Sequence, residues 1–485
     1  MKRIAVVAVV LGMLLVGCEL LELFQPYTSL PVIGVPQVIA SGDFNNDGRK
    51  DVVVGLGFPG PYGIRIYYQD SSGELKEGQG YSLPAQALSI DSGDVNNDGL
   101  SDIVVGTIDY LVVFTQNFDG SFSSRSYATK ESASLKIGDL NGDGLNDVVS
   151  AGHGSNKAEI RFQQTDGSFS LPTTLSVNHG GFDELDIGDL NGDGLNDIVV
   201  MSGQGYGTNF SVICQKAGGS FEAPVYYSVG ENILAHGVGI DDINDDGLND
   251  VVLAVGGNRP SSQIISFLQV QGRLLMSQST PTYDVPEAVE VRDVNNDGKA
   301  DVVVAHGGWM AMGVHLQQAD RALSVEGRYA IPYASHYNHQ GMVVSDINGD
   351  NLPDVAIADS NGKLVVLYHT LGADPVVDIK ANGSDGPVVV PNREKLEIDL
   401  TIDPTSHAGQ EAKYFLSYEG RGGKWWLTPN GRFEKMPTPT PFLAGAAKSV
   451  EMKLDNRNLP HDVVYQLSVE IGNRTFNDQV TVRQK

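Results

Sequence analysis

The sequence predicts an all-β protein: a seven-bladed β-propeller with calcium-binding loops, followed by a small Ig-like β-sandwich. Three observations support this fold class. A nine-residue pattern, D-x-N-x-D-G-x-x-D, occurs seven times at intervals of 45 to 53 residues, which is close to the length of one propeller blade. A short run of β-branched residues follows every copy. Glycine is abundant, at 57 of 485 residues, and only 19% of the residues are charged, as in a turn-rich folded chain.

The N-terminal residues predict export and lipid anchoring. Residues 1–17 have two basic residues and then an apolar stretch that is too short to span a bilayer, as in a signal peptide. The stretch ends in Leu-Val-Gly-Cys18, which resembles a bacterial lipobox, so we expect lipidation of Cys18 and a tether over residues 18–25. The alternative is an ordinary signal peptide with an incidental cysteine. Glu19 favours the outer membrane by resemblance to Gram-negative sorting rules, and the sequence leaves open which side the protein faces.

The repeated pattern predicts a calcium loop. Positions 1, 3, 5 and 9 carry side-chain oxygens, and a backbone carbonyl at position 7 would add a fifth hard donor, which suits Ca²⁺. Glycine at position 6 allows the loop to curl. An EF-hand is excluded because position 12 is apolar, as in Val54 and Val105. Turn formation alone would explain one copy but not seven in register.

Seven loops of this kind would bind up to seven calcium ions. The predicted ligands are Asp43, Asn45, Asp47, Asp51, Asp94, Asn96, Asp98, Asp102, Asp139, Asn141, Asp143, Asp147, Asp189, Asn191, Asp193, Asp197, Asp242, Asn244, Asp246, Asp250, Asp293, Asn295, Asp297, Asp301, Asp346, Asn348, Asp350 and Asp354. The seventh copy has Asn351 in place of glycine and Pro353 at position 8, so we expect its site to be the weakest. Bound cations would also offset the net charge of −27.

Each loop is predicted to join the first two strands of a blade. The residues after each loop, such as Val52–Val54 and Ile103–Val105, are typical of short buried strands. The seventh blade lacks a fourth strand near residue 372. We expect residues 26–34 to supply it by pairing beside Leu364–Tyr368, because an unpaired sheet edge is prone to aggregation.

The repeats resemble the FG-GAP/VCBS repeats of integrin α-chain propellers and of many bacterial surface proteins. The resemblance covers about residues 26–372 and is most specific at the loops. It implies that the pattern residues are calcium ligands and that the propeller is an adhesion or recognition module. Some enzymes, including certain polysaccharide lyases, also carry such repeats.

Residues 373–485 are predicted to form the second domain. Seven strand-like segments, between Val376 and Val482, have the number and spacing of an Ig-like sandwich. Trp425 and Trp426 interrupt the alternation, and one of them could be exposed for stacking on a sugar, although edge packing explains them better.

A ligand face is predicted opposite the calcium loops, where the connections between strands 2 and 3 and between blades lie. Exposed loop residues on a rigid scaffold are common binding residues. The candidates on this face are His153, His179, His236, His306, Trp309, His336, Tyr337 and His339. Each histidine alone could simply be tolerated in a glycine-rich loop. A transition metal at the axis is a further possibility, but no spacing requires it.

Two functions remain open from the sequence. The first is a calcium-binding, membrane-anchored recognition or adhesion protein whose partner is a protein or a glycan; the acidic composition argues against nucleic acid. The second is a calcium-dependent polysaccharide-active enzyme, either a lyase or a hydrolase. The sequence contains no G-x-S-x-G, H-E-x-x-H or phosphate-loop motif, and Cys214 lies in a strand-like run where a buried thiol is expected.

Overall fold

The computed structural model describes residues 23–152, 156–177, 184–201, 209–230, 233–334 and 336–370 and, beyond residue 375, mainly the strands given below. The chain divides into two compact units, Phe24–His369 and Met1–Leu23 together with Thr370–Lys485. The described residues form strands, turns and loops, so the all-β class is confirmed. None of their segments is a helix long and apolar enough to cross a membrane.

The Phe24–His369 unit is built from 30 described strands. In chain order they are β1 (Thr28–Pro31), β2 (Pro36–Gly42), β3 (Asp51–Leu56), β4 (Gly63–Gln69), β5 (Leu75–Ser82), β6 (Ser89–Gly93), β7 (Asp102–Gly106), β8 (Tyr110–Gln116), β9 (Phe122–Ala128), β10 (Ser134–Gly138), β11 (Asp147–Ala151), β12 (Lys157–Arg161), β13 (Thr173–Ser176), β14 (Leu185–Gly188), β15 (Asp197–Met201), β16 (Phe210–Ile213), β17 (Gln215–Lys216), β18 (Ser220–Phe221), β19 (Val225–Tyr227), β20 (Ala235–Asp241), β21 (Asp250–Val255), β22 (Gln263–Val270), β23 (Arg273–Pro281), β24 (Pro286–Arg292), β25 (Asp301–His306), β26 (Ala311–His315), β27 (Gly327–Ala330), β28 (Met342–Ser345), β29 (Asp354–Asp359) and β30 (Lys363–Leu367).

These strands form seven four-stranded antiparallel sheets among the described residues. The sheets are β2–β5, β6–β9, β10–β13, β14-β15-β16-β19, β20–β23, β24–β27 and β28-β29-β30-β1, and β17 and β18 pair as a small hairpin. The first strand of each sheet packs beside the first strand of the next, and β28 packs beside β2. The sheets therefore close into a ring, which is the arrangement of a β-propeller with seven blades.

The last sheet combines strands from both ends of the unit. Strand β1 pairs antiparallel with β30, with Ser29 opposite Val365. The Gln25 N–H donates to the Tyr368 carbonyl at 2.9 Å. Phe24 is 1% exposed, and its ring packs edge-to-face on that of Tyr329 with 5.3 Å between the ring centroids. The outer edge of β30 is thus covered by an N-terminal strand rather than left open.

The core lies between neighbouring sheets. The second strand of every blade is buried along its whole length, as in β3 and β25. Side chains from adjacent blades meet in apolar clusters, one of which contains Phe44, Ile64 and Phe114. Because both faces of these strands are buried, they appear in the sequence as continuous β-branched runs rather than as alternating patterns.

The second unit also consists of strands. They are β31 (Val376–Ala381), β32 (Val388–Val390), β33 (Lys395–Asp403), β34 (Glu411–Gly420), β35 (Gly423–Leu427), β36 (Phe433–Glu434), β37 (Thr440–Leu443), β38 (Lys448–Asp455), β39 (Asp462–Ile471) and β40 (Arg474–Gln484). They form one sheet in the order β31-β33-β38 and a second in the order β32-β40-β39-β34-β35-β36, with β37 also paired to β34. The Ig-like assignment stays a prediction. Trp425 and Trp426 lie in β35, and their side chains are outside the described set.

Candidate functional site

The seven repeated loops connect the first and second strands of the blades and share one hydrogen-bond pattern. In every loop the N–H of position 6 donates to an oxygen of the position-1 aspartate at 2.6 to 2.9 Å. In the first loop Asn45 Oδ1 accepts the Asp47 N–H at 3.0 Å, and Asp47 Oδ1 accepts the Arg49 N–H at 3.0 Å. These bonds wrap the chain into a tight turn with the oxygens of positions 1, 3 and 5 on its inner side.

The backbone needs left-handed residues at two positions of each loop. Position 6 has φ between 65° and 86° in all seven copies, and Asn351 in the seventh copy adopts φ 65° with its N–H still bonded to Asp346. Position 4 also has a positive φ, and it is asparagine, glycine or aspartate in every copy. These residue types tolerate this conformation best. Position 4 was not among the predicted features of the loop, although its restriction to asparagine, glycine and aspartate was a usable signal.

The position-9 aspartate has a structural role that was not foreseen. Asp147 is fully buried, and its carboxylate accepts the Leu140 N–H at 2.9 Å and the Gln163 N–H at 2.8 Å. The same two bonds occur in all seven blades, so this carboxylate joins the loop to the end of the third strand or to the residues just after it. Burial raises the pKa of Asp147 to about 6, and nearby loop carboxylates add to the rise.

The donor chemistry of the loops fits Ca²⁺. Each loop offers aspartate and asparagine oxygens on one short turn, together with backbone carbonyls, and no copy has lost a donor at positions 1, 3, 5 or 9. The described side chains do not already include three acidic, histidine or cysteine groups around a common metal position. Because loop N–H groups hold the carboxylates, ion binding would require these side chains to reorient within the turn.

Amide side chains connect neighbouring loops. Asn146 Nδ2 donates to the Asp94 carbonyl at 2.9 Å, and Asn196 Nδ2 donates to the Asp139 carbonyl at 3.1 Å. Gln317 Nε2 makes the corresponding bond to the carbonyl of a preceding loop. In each case the acceptor is the position-1 residue of the previous blade, so the loop face is a connected structure rather than seven separate turns.

The opposite face carries an aromatic and basic cluster in the fifth and sixth blades. Trp309 is 41% exposed, and its ring lies edge-on to that of Tyr283 with 5.7 Å between centroids. The guanidinium carbons of Arg259 and Arg328 lie 4.6 and 4.5 Å from the Tyr283 ring centroid. Asp284 accepts from Arg259, whereas Arg328 is exposed and its guanidinium makes no hydrogen bond or ion pair with any described residue. We call Tyr283, Trp309, Arg259 and Arg328 the aromatic–arginine patch.

Further apolar side chains are exposed at the same end of the propeller. They are Ile33, Phe58, Ile108, Tyr110, Leu234, Met310 and Tyr333. The turn that carries Trp309 is fixed to the segment that carries Tyr333, because the Gly308 N–H donates to the Ala334 carbonyl at 2.6 Å. At this end of the propeller, exposed apolar side chains therefore lie on loops that hydrogen bonds hold together.

The structure corrects two of the predicted face residues. His306 is the last residue of β25 and is fully buried, with Nδ1 3.1 Å from the Asp284 carbonyl and Nε2 2.7 Å from Glu326 Oε1. Tyr337 is 2% exposed, and its hydroxyl donates to the Pro332 carbonyl. Both prediction errors have the same cause: residues of the connections between strands were treated as exposed, although their polar atoms are satisfied inside the protein.

The other histidines differ in their environments. His336 is exposed and Nδ1 lies 2.7 Å from a Glu287 oxygen, which raises its pKa. His236 and His339 are half-buried. Burial lowers the pKa of His339 to about 4. His153 and His179 lie outside the described residues.

Cys214 is the cysteine that lies within the described residues, and its thiol is not activated. Burial, with a smaller contribution from Asp197, raises the pKa of the Cys214 thiol to about 11, so the thiol is neutral at physiological pH. Cys18, the predicted lipidation site, lies outside the described residues.

Comparison with known proteins identifies the repeats. A family model described as FG-GAP-like repeat matches residues 43–105, 139–200, 242–304 and 293–357. No curated protein matches the chain. Among solved structures, a protein from Lactobacillus plantarum is similar at 13% identity and a TM-score of 0.48, over 62% of this chain and 87% of that one.

Two other solved structures are similar over much of the chain. The Dos1 propeller matches at 8% identity and a TM-score of 0.42, over 71% of this chain and 95% of that one. The Tc holotoxin pore of Photorhabdus luminescens matches at 12% identity and a TM-score of 0.35, over 86% of this chain but only 22% of that one. The fold assignment depends on the seven sheets and on the repeat match rather than on these similarities.

Proposed function

Because the chain is an FG-GAP-like repeat protein with a β-propeller fold, we propose that it is a calcium-stabilised recognition module that binds a glycan. The binding site would be the aromatic–arginine patch, on the face opposite the calcium loops. The observation that supports this most directly is that exposed Trp309 packs edge-on to Tyr283. The guanidinium of Arg328 stacks on the same Tyr283 ring and has no hydrogen-bond partner among the described residues.

The chemistry of the patch suits a sugar. An exposed indole offers a flat apolar surface on which a sugar ring can stack, and a guanidinium offers several N–H donors to hydroxyl or carboxylate oxygens. The stacking of Arg328 on Tyr283 holds the donor in place before a ligand arrives, which lowers the entropy lost on binding. Arg259 is tied to Asp284, so Arg328 is the better candidate for direct contact.

In this proposal calcium has a structural role. The loops lie at the other end of each blade, and an ion that binds only the folded state stabilises it by mass action. Seven divalent cations would also reduce repulsion in a chain with 60 acidic and 33 basic residues. Chelation is therefore expected to weaken glycan binding only by unfolding or loosening the propeller.

The proposal includes attachment to the cell envelope. Lipidation at Cys18 would hold the module at a membrane, which fits recognition of a surface or envelope glycan. Replacing Cys18 with serine in the full-length chain should move the protein from the membrane fraction to the soluble fraction. Retention in the membrane fraction would contradict lipid anchoring at this residue.

The experiment for the glycan proposal is binding of the calcium-loaded protein to a panel of neutral and acidic polysaccharides by gel retardation. We expect the wild type to be retarded by at least one member and the double variant Trp309→Ala, Arg328→Ala to lose at least tenfold in affinity. The matched control is Arg125→Ala, which removes one positive charge from another Arg–Tyr pair, that of Arg125 and Tyr127. The control should bind as the wild type does.

The outcomes separate the possibilities. Equal loss in the control would mean that general charge drives binding rather than the patch. Retardation of the double variant at wild-type strength would place the site elsewhere. Absence of binding to every polysaccharide would contradict a glycan ligand, and release of shortened products would favour the polysaccharide-active enzyme instead.

A further inference from the structure

A buried polar network lies directly beneath the aromatic–arginine patch. His306 in β25 and His315 in β26 are fully buried, and the Glu326 side chain is 9% exposed. His306 Nε2 lies 2.7 Å from Glu326 Oε1, and the Thr282 hydroxyl donates to the same oxygen at 2.8 Å. Buried ionisable groups are costly unless they are paired, and here a histidine and a carboxylate pair with each other.

Gly313 in β26 makes room for this pair. A Cβ atom at position 313 would collide with Glu326 Oε1 and with His306 Nε2. The corresponding position of the third strand is arginine, valine, glutamate, serine, isoleucine or valine in the other six blades. Glycine inside a strand often marks a close approach of other groups. The sixth blade therefore departs from the repeat where the Glu326 side chain crosses β26 to reach His306.

The pair is connected to the residues of the patch. The Tyr283 ring lies edge-on to that of His306 with 5.6 Å between centroids, and the Trp309 N–H donates to the His306 carbonyl at 3.3 Å. Arg328 follows Glu326 by two residues at the start of β27. The two segments that the pair joins are thus the ones that bring the aromatic rings and the exposed guanidinium together.

The pair requires one shared proton. The Asp284 carbonyl can only accept a hydrogen bond, so His306 Nδ1, which lies 3.1 Å from it, carries a hydrogen. A hydrogen between His306 Nε2 and Glu326 Oε1 then means that either the imidazole is charged or the carboxyl is protonated. Removal of that hydrogen leaves two lone pairs facing each other at a buried position.

Neighbouring groups leave this proton on the histidine. The titratable groups on the elements packed around His306 are Tyr283 and Asp284 before β24, Glu287 in β24, His315 in β26 and Glu326 before β27. Burial lowers the pKa of His315, which keeps its ring neutral at physiological pH. Burial acts to raise the pKa of Glu326, but the hydrogen bond and the charge of His306 outweigh it, and the pKa is lowered. Asp284 and Glu287 are held by Arg259 and His336.

We propose that the His306–Glu326 pair positions the aromatic–arginine patch and that its proton makes ligand binding at the patch depend on pH. The inference rests on the glycan-binding role proposed above for that patch. While the proton is present, Tyr283 and Trp309 lie against a fixed histidine and β27 holds Arg328 beside them. When the pH rises and the proton is lost, the bond between the two segments breaks. Binding is therefore strongest at neutral and mildly acidic pH and weakens in alkaline solution.

The first experiment observes the patch without a ligand. The full chain is labelled with 5-fluorotryptophan in excess calcium, and the fluorine signal of Trp309 is identified by its loss in Trp309→Phe. We expect this signal to shift with pH between pH 6 and pH 9 in the wild type. Glu326→Gln should give a signal that does not change over this range, because an amide can donate to a neutral imidazole and preserve the bond.

A second variant and a matched control complete this test. His306→Gln can donate to the carboxylate at every pH, so it should also give a constant signal, and it replaces Glu326→Gln if circular dichroism shows that the latter does not fold. His336→Gln removes the histidine of the other His–Glu pair on this face and should shift as the wild type does. The proposal is wrong if the wild-type signal does not change with pH, if a folded Glu326→Gln or His306→Gln shifts as the wild type does, or if His336→Gln abolishes the shift.

Gel retardation with the panel of neutral and acidic polysaccharides is the second measurement. A polysaccharide that retards the wild type at pH 6 should bind at least tenfold more weakly at pH 9, and Glu326→Gln should bind it equally at both pH values. A wild-type affinity that does not follow the shift of the Trp309 signal would overturn the proposed pH dependence of binding. If no polysaccharide binds while the Trp309 signal behaves as expected, the glycan role fails and positioning of the patch by the pair is supported.

Discussion

The position-9 aspartate offers a test that separates a structural bond from a calcium ligand. Asp147 is the best position for it, because its raised pKa of about 6 still leaves the carboxylate ionised at pH 8. Its two oxygens accept N–H groups from Leu140, seven residues earlier, and from Gln163, 16 residues later. Asparagine has the same shape but only one acceptor oxygen.

The loss of stability in Asp147→Asn follows from the loss of one acceptor oxygen. One of the two N–H donors must then face the amide NH₂ and loses its partner inside the protein. A hydrogen bond to a charged acceptor contributes about 1.5–3 kcal/mol, and an unpaired buried donor costs about 1–3 kcal/mol. Relief of the buried charge offsets part of this, so we expect a net loss of about 2 kcal/mol in the free energy of unfolding.

The assay is denaturant unfolding at pH 8 in excess calcium and again in excess chelator, with Asp143→Asn as the matched control. Asp143 is an exposed position-5 residue of the same loop, and asparagine there can still accept the Leu145 N–H. Asp147→Asn should be destabilised in both conditions, whereas Asp143→Asn should be destabilised only in calcium. If Asp147→Asn matches the wild type in chelator, the structural role of position 9 is refuted.

Three other outcomes are expected. Chelation of the wild type should lower its melting temperature by many degrees; an unchanged melt together with no calcium by elemental analysis would contradict the calcium loops. Deletion of residues 19–34 should reduce solubility and stability, because β30 then has an open edge; equal stability of the truncated chain would show that β1 contributes little. His339 is held neutral in the fold, with a pKa of about 4 against about 6.5 when unfolded, so its contribution is present above pH 6.5 and is lost as the pH falls towards 4. At about 1.4 kcal/mol for each pH unit between the two pKa values, that loss is at most about 3.5 kcal/mol. His339→Gln should remove it from the pH profile of calcium-loaded melting, and identical profiles would show that other groups govern acid sensitivity.

Features that every blade repeats could be predicted from the sequence. The loop needs oxygen donors at fixed positions and a left-handed residue at position 6, so nearly the same residues recur in each copy. The buried second strand follows directly after the loop. The all-β class and the propeller follow from that repetition. Position 4 could have been recognised in the same way, because it is confined to residues that tolerate a positive φ.

Bonds between distant residues could not be predicted in the same way. The position-9 aspartate was assigned to calcium because it lies in the loop pattern. Nothing nearby in the sequence shows that its second oxygen accepts an N–H from the far end of the third strand or just after it. The residue that donates is glutamine in six blades and His369 in the seventh. Because the donor is a backbone group, the identity of that residue carries little information about the bond.

The error at His306 has a related origin. Composition places a histidine near Gly307 and Gly308 in a turn, and turns are normally exposed. In the fold His306 completes a buried strand, and its two nitrogens face the Asp284 carbonyl and Glu326, which come from segments on either side in the same blade. Burial of a polar side chain depends on whether such partners exist, and a single sequence does not show them.

Gln340 is not part of the repeated pattern, and its hydrogen bonds cross the propeller axis. Its Oε1 accepts the Ile90 N–H at 3.1 Å, its Nε2 donates to the Leu135 carbonyl at 2.8 Å, and its own carbonyl accepts the Ile39 N–H at 2.9 Å. One residue before the seventh blade thus joins the first three blades and closes one end of the channel. A seven-fold repeat of Gln340 could not do this, because seven such side chains would compete for the same space on the axis. Closure of the channel at this end therefore requires a residue that occurs only once, which is why no pattern in the repeats could have indicated it.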